Sequence, residues 1–285
     1  MAAAARDSPV PPDGAKLLVG TGGYAYTEWV TAGFYAEGTP TAAMLERYAR
    51  RFPAVELNTT GYRMPRADSL DRQRRQVSPA FRFAAKLNRA LTHEVPTPRW
   101  RDAAARYREG VAPLVQAGQL AAVLAAFPLT FDRSEPHRRY LSELLDALAG
   151  LPLAVEFRHR SWASDRVFAE LERRQVALVA VDAPPLPELF PPLAIATTPA
   201  FFYARFHGRN LRGWRSGNLG LQFDYRYSDD ELQRWAAERI VPLSRRARCG
   251  FIFFGNHVRA QAPADARRFM AVLAGCGLDV VPPAV

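Results

Sequence analysis

Eight short apolar runs recur along the chain, and most of them finish on a charged or amide side chain. They are LLVGTGGY (17–24), AVELNTT (54–60), FRFAAKL (81–87), LAAVLAAF (120–127), LAVEFRH (153–159), VALVAVDA (176–183), FFYARFHG (201–208) and GFIFFGN (250–256). Runs of this length are strand-like, and stretches of helical composition separate most of them. Repeated strand–helix order calls for a parallel sheet, and eight units suffice to close it. The expected fold is α/β, a TIM-type (β/α)8 barrel. Parallel strands all end on one face, so their polar ends should share one basin. That basin would hold Glu56, Asn58, Lys86, Glu156, Arg158, Asp182, Arg205, His207 and Asn256.

Alternation along the strands refines this picture, because successive side chains point to opposite faces. In AVELN, Val55 and Leu57 share one face, and Glu56 and Asn58 the other. In AVEFRH the pairs are Val155 with Phe157 and Glu156 with Arg158; in YARFHG, Arg205 and His207 flank Phe206. The apolar sets should meet the helices and the polar sets the barrel mouth. Charges on strands are costly to bury, so such pairs indicate either mutual pairing or a ligand. For Glu156 with Arg158 or Arg205, pairing that seals the barrel and contact with a ligand stand level. His207, at a strand end that opens into an irregular loop, is a site candidate. His159 has the opposite parity and is assigned a structural hydrogen bond. Asn58 and Asn256 either orient a ligand or tie down strand ends. His93, in LTHE, is placed to reach the rim, whereas His137 is expected to be solvated. Tyr24, Tyr26, Trp29, Phe34, Tyr35 and Tyr62 form an aromatic group that either packs or stacks a ligand, with Tyr24 the binding candidate.

A length of 285 residues suits one barrel of this kind, typically about 250 residues. Residues 1–15 read as a disordered tail and 16–280 as a single domain. The tail carries prolines and an aspartate where a secretory signal would be apolar. No apolar stretch approaches the roughly 18 residues of a membrane span. Cys249 and Cys276, lacking CxxC spacing, indicate neither a disulfide framework nor a zinc knuckle, and a cytoplasmic, reduced protein is expected. The net charge of +10 is almost all arginine, since Lys16 and Lys86 are the only lysines. A polyanion such as nucleic acid is one reading of that charge. The arginines, however, are spread along helices (Arg72, Arg74 and Arg75; Arg138 and Arg139; Arg173 and Arg174), which favours solvated faces. Lys86 is different: a lysine on a buried strand needs a carboxylate or an anionic ligand to offset its desolvation.

Helices are expected at 39–52, capped by Thr39 or Thr41, at 66–76, and at 98–118 with a kink or break at Pro113. Further helices are expected at 134–150 with a Ser134 cap, and at 161–175, 228–243 and 261–275. The stretch 183–199, after strand six, is too rich in proline for a regular helix and long enough to fold over the basin. After strand seven, 209–227 is a second irregular loop carrying arginines, glycines and aromatics. There is no P-loop, HExxH or GxSxG. A metal held by Glu56, Glu156, Asp182, His207 and His257 is conceivable, but Lys86, Arg158 and Arg205 would compete for those carboxylates. No metal site is assigned, and the sequence names no cofactor.

The stretches GTGGYAYTEW with GFY, VELNTTGYRMP, FRFAAKLNRALTHE, FPLTF, AVEFRHRSW, VDAPP, YARFHGRN and FFGNHVRAQAPADA span residues 20–266. Together they resemble the domain-of-unknown-function 72 family, also called YecE-like. The resemblance implies a TIM-barrel fold and supplies no reaction. Three positions depart from the family pattern: Ala126 where glutamine is frequent, Gly61 where an aromatic is common, and Gly255 in place of the first of two asparagines.

The expected function is binding or transformation of a small phosphorylated or carboxylated molecule at the barrel mouth. Lys86, Arg158 and Arg205 would hold the anion. Glu156 or Glu56 would act as general acid or base with His207 as partner. Asn58, His93, Asp182, Asn256 and Tyr24 would complete the binding set. The alternatives are a nucleic-acid-binding or phosphodiester-cleaving barrel, and a non-catalytic sensor or scaffold.

Overall fold

The apolar runs all become strands, and the strands close. In the computed structural model, which describes residues 14–283, they are β1 (Lys16–Gly22), β2 (Ala54–Leu57), β3 (Arg82–Lys86) and β4 (Leu120–Ala126). They continue as β5 (Leu153–Glu156), β6 (Ala177–Asp182), β7 (Phe202–Phe206) and β8 (Cys249–Phe254). Each pairs in parallel with its sequence neighbours, and β8 returns to β1 to complete a closed eight-stranded barrel. This is the TIM-type (β/α)8 architecture. Residues 1–13 of the expected tail lie outside the described residues; Ala15, its last residue, is buried. At the other end, Val281 donates its backbone N–H to Leu17 (2.9 Å), adding a short segment beside β1.

Two apolar clusters follow from the period of two. One fills the barrel: Leu18, Ala54, Ala84, Ala122, Leu124, Ala154, Ala177, Val179, Tyr203, Phe251 and Phe253. Small residues on β2 to β6 face bulky rings from β7 and β8, so the interior is packed and not a pore. The other cluster lies between strands and helices and includes Val19, Val55, Phe83, Val123, Val155, Phe206, Ile252 and Phe254.

The helices match the expected stretches, most with shorter ends: Thr41–Ala49, Ala67–Arg74, Trp100–Gln116, Glu135–Ala147, Asp165–Arg173, Asp229–Trp235 (continued by a π-helical turn Ala236–Ile240 and by Val241–Ser244) and Gln261–Gly275. Four local expectations change. Pro40 occupies the N-cap position of the first of these helices, and Thr39 instead donates to Ala36 (2.6 Å) and accepts from Arg47. Pro113 lies within Trp100–Gln116 without ending it, and its carbonyl accepts from Ala117 (3.1 Å). Ser134 stands at an N-cap, but its side chain makes no capping bond. His137 is half-buried: its Nδ1 lies 2.8 Å from the Asp132 carboxylate and its ring packs on Phe131, so contacts around the helix start replace the expected solvation.

Tyr48 shows how a helix residue sets strand register. Its hydroxyl accepts from Thr21 N (2.8 Å) and donates to Ala54 O (3.0 Å), linking β1 to β2 at the level where they pair. Tyr48→Phe should therefore destabilise the fold by about 1–2 kcal/mol, since it leaves buried backbone groups without a partner. Chemical denaturation checks this. An unchanged midpoint would mean that the hydroxyl pins nothing.

The two irregular stretches behave differently from each other. Residues 183–199 contain no helix and fasten onto the chain leaving β5: Phe190 N donates to Arg158 O (2.7 Å) and Arg160 N to Glu188 O (3.0 Å). Farther along, Thr197 ties the stretch to β6, accepting from Leu178 N (2.8 Å) and donating to Val176 O (2.6 Å), and Pro185 and Pro192 line a hollow with Asp182 and Arg209. Residues 209–227 form two short helices, Leu211–Ser216 and Leu219–Gln222. This loop departs from β7 at Gly208, whose positive φ of 84° and tight approach to Tyr225 exclude a side chain.

Candidate functional site

The polar strand ends separate into a buried tier and an accessible one. The buried tier is built from the inward faces of β2, β5 and β7. Arg205 lies between two carboxylates, donating to Glu56 Oε1 (2.7 Å) and to Glu156 Oε2 (2.6 Å). The second oxygen of Glu56 accepts from Tyr203 (2.7 Å), and the second oxygen of Glu156 accepts from His207 Nε2–H (3.1 Å). All four carboxylate oxygens are thus engaged. Glu56, Glu156, Tyr203, Arg205 and His207 are all buried.

The electrostatics follow from this pairing. Burial alone would raise the pKa of Glu156, but Arg205, then His207 and Arg158, hold it well below the usual carboxylate range. His207 experiences the opposite balance. Burial pushes its imidazole down, Glu156 pulls it up, and Arg205 and Arg158 push it down again, so the pKa ends lowered and the ring is neutral. With Nε2–H donated to Glu156, Nδ1 is the free acceptor. It is buried and has no partner.

Above this tier sit groups that solvent reaches. The Arg158 side chain is 28% exposed, with Nε 3.8 Å from Glu156 Oε1 and its guanidinium 5.9 Å from the centre of the Trp214 ring. Lys86 Nζ lies 5.9 Å from the ring centre of Tyr62, which is exposed. Among the described residues, no carboxylate lies within ion-pair distance of the Lys86 ammonium. Burial, and then repulsion from Arg205 and Arg158, lowers its pKa to about 8. Asn58 is half-buried beside Gly22 and Glu56. His93 is exposed on the rim, and desolvation, followed by the cations Lys86, Arg158 and Arg89, lowers its pKa to about 4.

Three expected members stand elsewhere. Asp182 shares its face with Leu178 and Ala180, toward the helices. There it accepts from Arg209 (2.6 Å), Tyr227 (2.6 Å) and Trp235 (2.7 Å). Asn256 likewise faces outward with Ile252 and Phe254, donating to Tyr225 O (2.7 Å) and Asp265 (2.8 Å). Tyr24 packs on Tyr48, and its hydroxyl is 3.5 Å from Gln73, away from the carboxylate cluster. His159 makes a local bond to Ser161 (2.7 Å).

Other groups take part without having been assigned to the site. Tyr203 completes the shell of Glu56. Trp214 and Phe223, carried by the loop after β7, bring their rings to 6.3 and 6.1 Å from that of His207. The Trp214 Nε1–H is buried without a partner. Tyr26 stacks on His257 at 4.6 Å. Ala126, Gly61 and Gly255 all border the site. Ala126 pairs with Glu156 in the sheet; a side chain at Gly61 would press on the Lys86 stem at 3.0 Å; one at Gly255 would approach His207 Nδ1 at 3.3 Å. Among the described residues no group of three or more His, Cys, Asp or Glu is placed to hold a metal ion, and no helix is long and apolar enough to cross a membrane.

Comparison with known proteins gives one consistent match. Residues 18–283 fit the pattern of the family described as "Protein of unknown function DUF72". The chain is 25% identical over 253 residues to the UPF0759 protein YunF of Bacillus subtilis, covering 84% of this chain and 89% of that one. It is 29% identical over 144 residues to the UPF0759 protein YecE of Escherichia coli, covering 50% and 48% of the two chains. A crystal structure of a DUF72 family protein from Thermotoga maritima superposes with a TM-score of 0.82 at 33% identity, covering 91% of this chain and 99% of that one. One from Enterococcus faecalis, at 24% identity and a TM-score of 0.82 over 94% and 98% of the chains, shares the fold.

Proposed function

We propose that this chain, which belongs to the DUF72 family of proteins of unknown function, binds a small phosphorylated or carboxylated molecule at the C-terminal mouth of its barrel. Lys86 carries this reading. The residue is half-buried, is repelled by the charges of Arg205 and Arg158, and lacks a carboxylate partner among the described residues. Arg205 already neutralises much of the charge on Glu56 and Glu156. With His207 neutral, Lys86, Arg158 and Arg205 outnumber those two carboxylates by one positive charge. An anion above the buried tier would meet Lys86 and Arg158 directly, and a guanidinium suits oxyanion geometry. Asn58 would orient the ligand. Tyr62, Trp214 and Phe223 would wall it, and His93 would stand at the rim.

The buried tier then supports the site in place of cutting bonds itself. Glu156 fixes the His207 ring through Nε2 and leaves Nδ1 as the atom able to accept a proton or a hydroxyl hydrogen bond. The barrel strands hold Glu56 and Arg205 rigid beneath the ligand. A nucleic-acid partner draws no matching support. Surface arginines are widely paired with carboxylates, as in Arg50–Glu46, Arg75–Asp71, Arg101–Glu143 and Arg173–Glu170.

Isothermal calorimetry with inorganic phosphate at low ionic strength tests the reading. Saturable binding that weakens with salt, and that falls tenfold or more in Arg158→Ala, is expected. No heat at millimolar phosphate, or an unchanged affinity in the variant, would remove the mouth as an anion site.

A further inference from the structure

We propose that the Lys86 amine attacks carbonyl carbon, so that the molecule held at the mouth is an aldehyde or ketone bearing a carboxylate or phosphate, bound as an imine. This rests on the anion-binding reading of the same mouth and adds a substrate class to it.

The geometry separates Lys86 from an ordinary structural lysine. Its backbone carbonyl accepts from Thr60 Oγ1 (2.7 Å) and Tyr107 (3.3 Å), so the residue's base is fixed at the end of β3. Its stem lies against Gly61, where even a methyl group would approach Cδ at 3.0 Å; the neighbouring turn therefore directs the side chain. The charged and titratable groups facing the head are Arg158, Arg205, Glu56, Glu156, His93 and the Tyr62 ring. Both carboxylates are bound to Arg205, and among the described residues neither lies within ion-pair distance of the head. Arg158 is the accessible cation beside it and can take the carboxylate or phosphate of a carbonyl compound. A pKa near 8 leaves about a tenth of the amine neutral at pH 7, and amines activated in this way form imines.

The step balances without a further reagent. Water or neutral His93 takes one proton from the ammonium, and the nitrogen lone pair then forms the C–N bond. The carbonyl π pair moves to oxygen. That oxygen leaves as water with two hydrogens of the original ammonium once the borrowed proton has been returned. The nitrogen keeps one, so the product is a protonated imine.

The test treats the intact protein with pyridoxal 5′-phosphate, which carries both an aldehyde and a phosphate, followed by borohydride and peptide mass mapping. Lys16, exposed at the start of β1, is the internal reference. At pH 7.5 Lys86 should be labelled at least tenfold faster than Lys16, and inorganic phosphate should suppress the labelling. Lys86→Arg should lose the label at this position while Lys16 is still modified. Labelling of Lys86 no faster than Lys16, with phosphate heat intact, overturns the imine and leaves the anion site standing. Absence of phosphate heat, or labelling that phosphate does not slow, overturns both.

Discussion

Replacing Arg205 with methionine should cost the fold about 3–5 kcal/mol, the largest loss expected from any single change at the mouth. Arg205 is the sole residue that donates to both Glu56 and Glu156 among the described bonds, at 2.7 and 2.6 Å. Methionine fills similar space but leaves Glu56 with Tyr203 alone, and Glu156 with His207 and the more distant Arg158 at 3.8 Å. The acid response should also change sign. In the parent, Glu156 is held well below its ordinary pKa, so its contribution is complete above the unfolded-state value, near 4.5. That contribution is lost as pH falls further. Without Arg205, burial dominates and raises the Glu156 pKa. The folded state of the variant then takes up a proton before the unfolded state does, and stability should rise as pH drops from 7 toward 5. Urea titrations of both proteins from pH 7 down to pH 4, which spans the window where the parent begins to lose this contribution, decide this. A variant that weakens in parallel with its parent would mean that Arg205 does not hold the Glu156 charge. Adding Glu56→Gln and Glu156→Gln to Arg205→Met should recover much of the loss, because the unpaired charges disappear with their counter-ion.

How far the site can be read from sequence depends on whether a strand alternates. β2, β5 and β7 mix polar and apolar residues with a period of two, so Glu56, Glu156, Arg205 and His207 could be grouped from their parity. Tyr203 has that parity too and was open to the same argument. β6 and β8 carry apolar residues on both faces, as strands of a covered parallel sheet do. VALVAVD therefore gives no sign that Asp182 turns to the helices, and GFIFFGN none that Asn256 does. Only the partners of those residues, Arg209, Tyr227 and Trp235 for one and Asp265 for the other, reveal it. Trp214 and Phe223 were hidden for a different reason. Their place beside His207 depends on how residues 209–227 fold back, which is set by contacts such as Asn210 accepting from Gly213 (3.1 Å) and donating to Asp224 O (3.0 Å). Local composition marks that loop as functional without showing where its rings lie.

Lys86→Met should do the reverse of Arg205→Met: it should stabilise the free protein by about 1–3 kcal/mol while abolishing its response to phosphate. The stem and its packing against Gly61 are largely preserved; what leaves is a half-buried charge repelled by Arg205 and Arg158. The sign follows from proton linkage. The folded-state pKa of Lys86, about 8, lies below the unfolded value of 10.5, so the unfolded chain binds more protons between these limits. The penalty is therefore complete below pH 8 and fades as pH rises toward 10.5, and the advantage of methionine should fade with it. Phosphate should reverse the order of stability. A ligand that binds only the native state adds stability in proportion to the logarithm of its concentration over Kd, and only the parent retains the lysine that holds it. Thermal melts of the two proteins at pH 7 and pH 10, each with and without phosphate, give the four comparisons required. A variant less stable than its parent at pH 7 without phosphate would show that the ammonium already has a partner in the fold. The anion site would then lose the observation on which it stands, because a lysine satisfied by the protein has no need of a ligand.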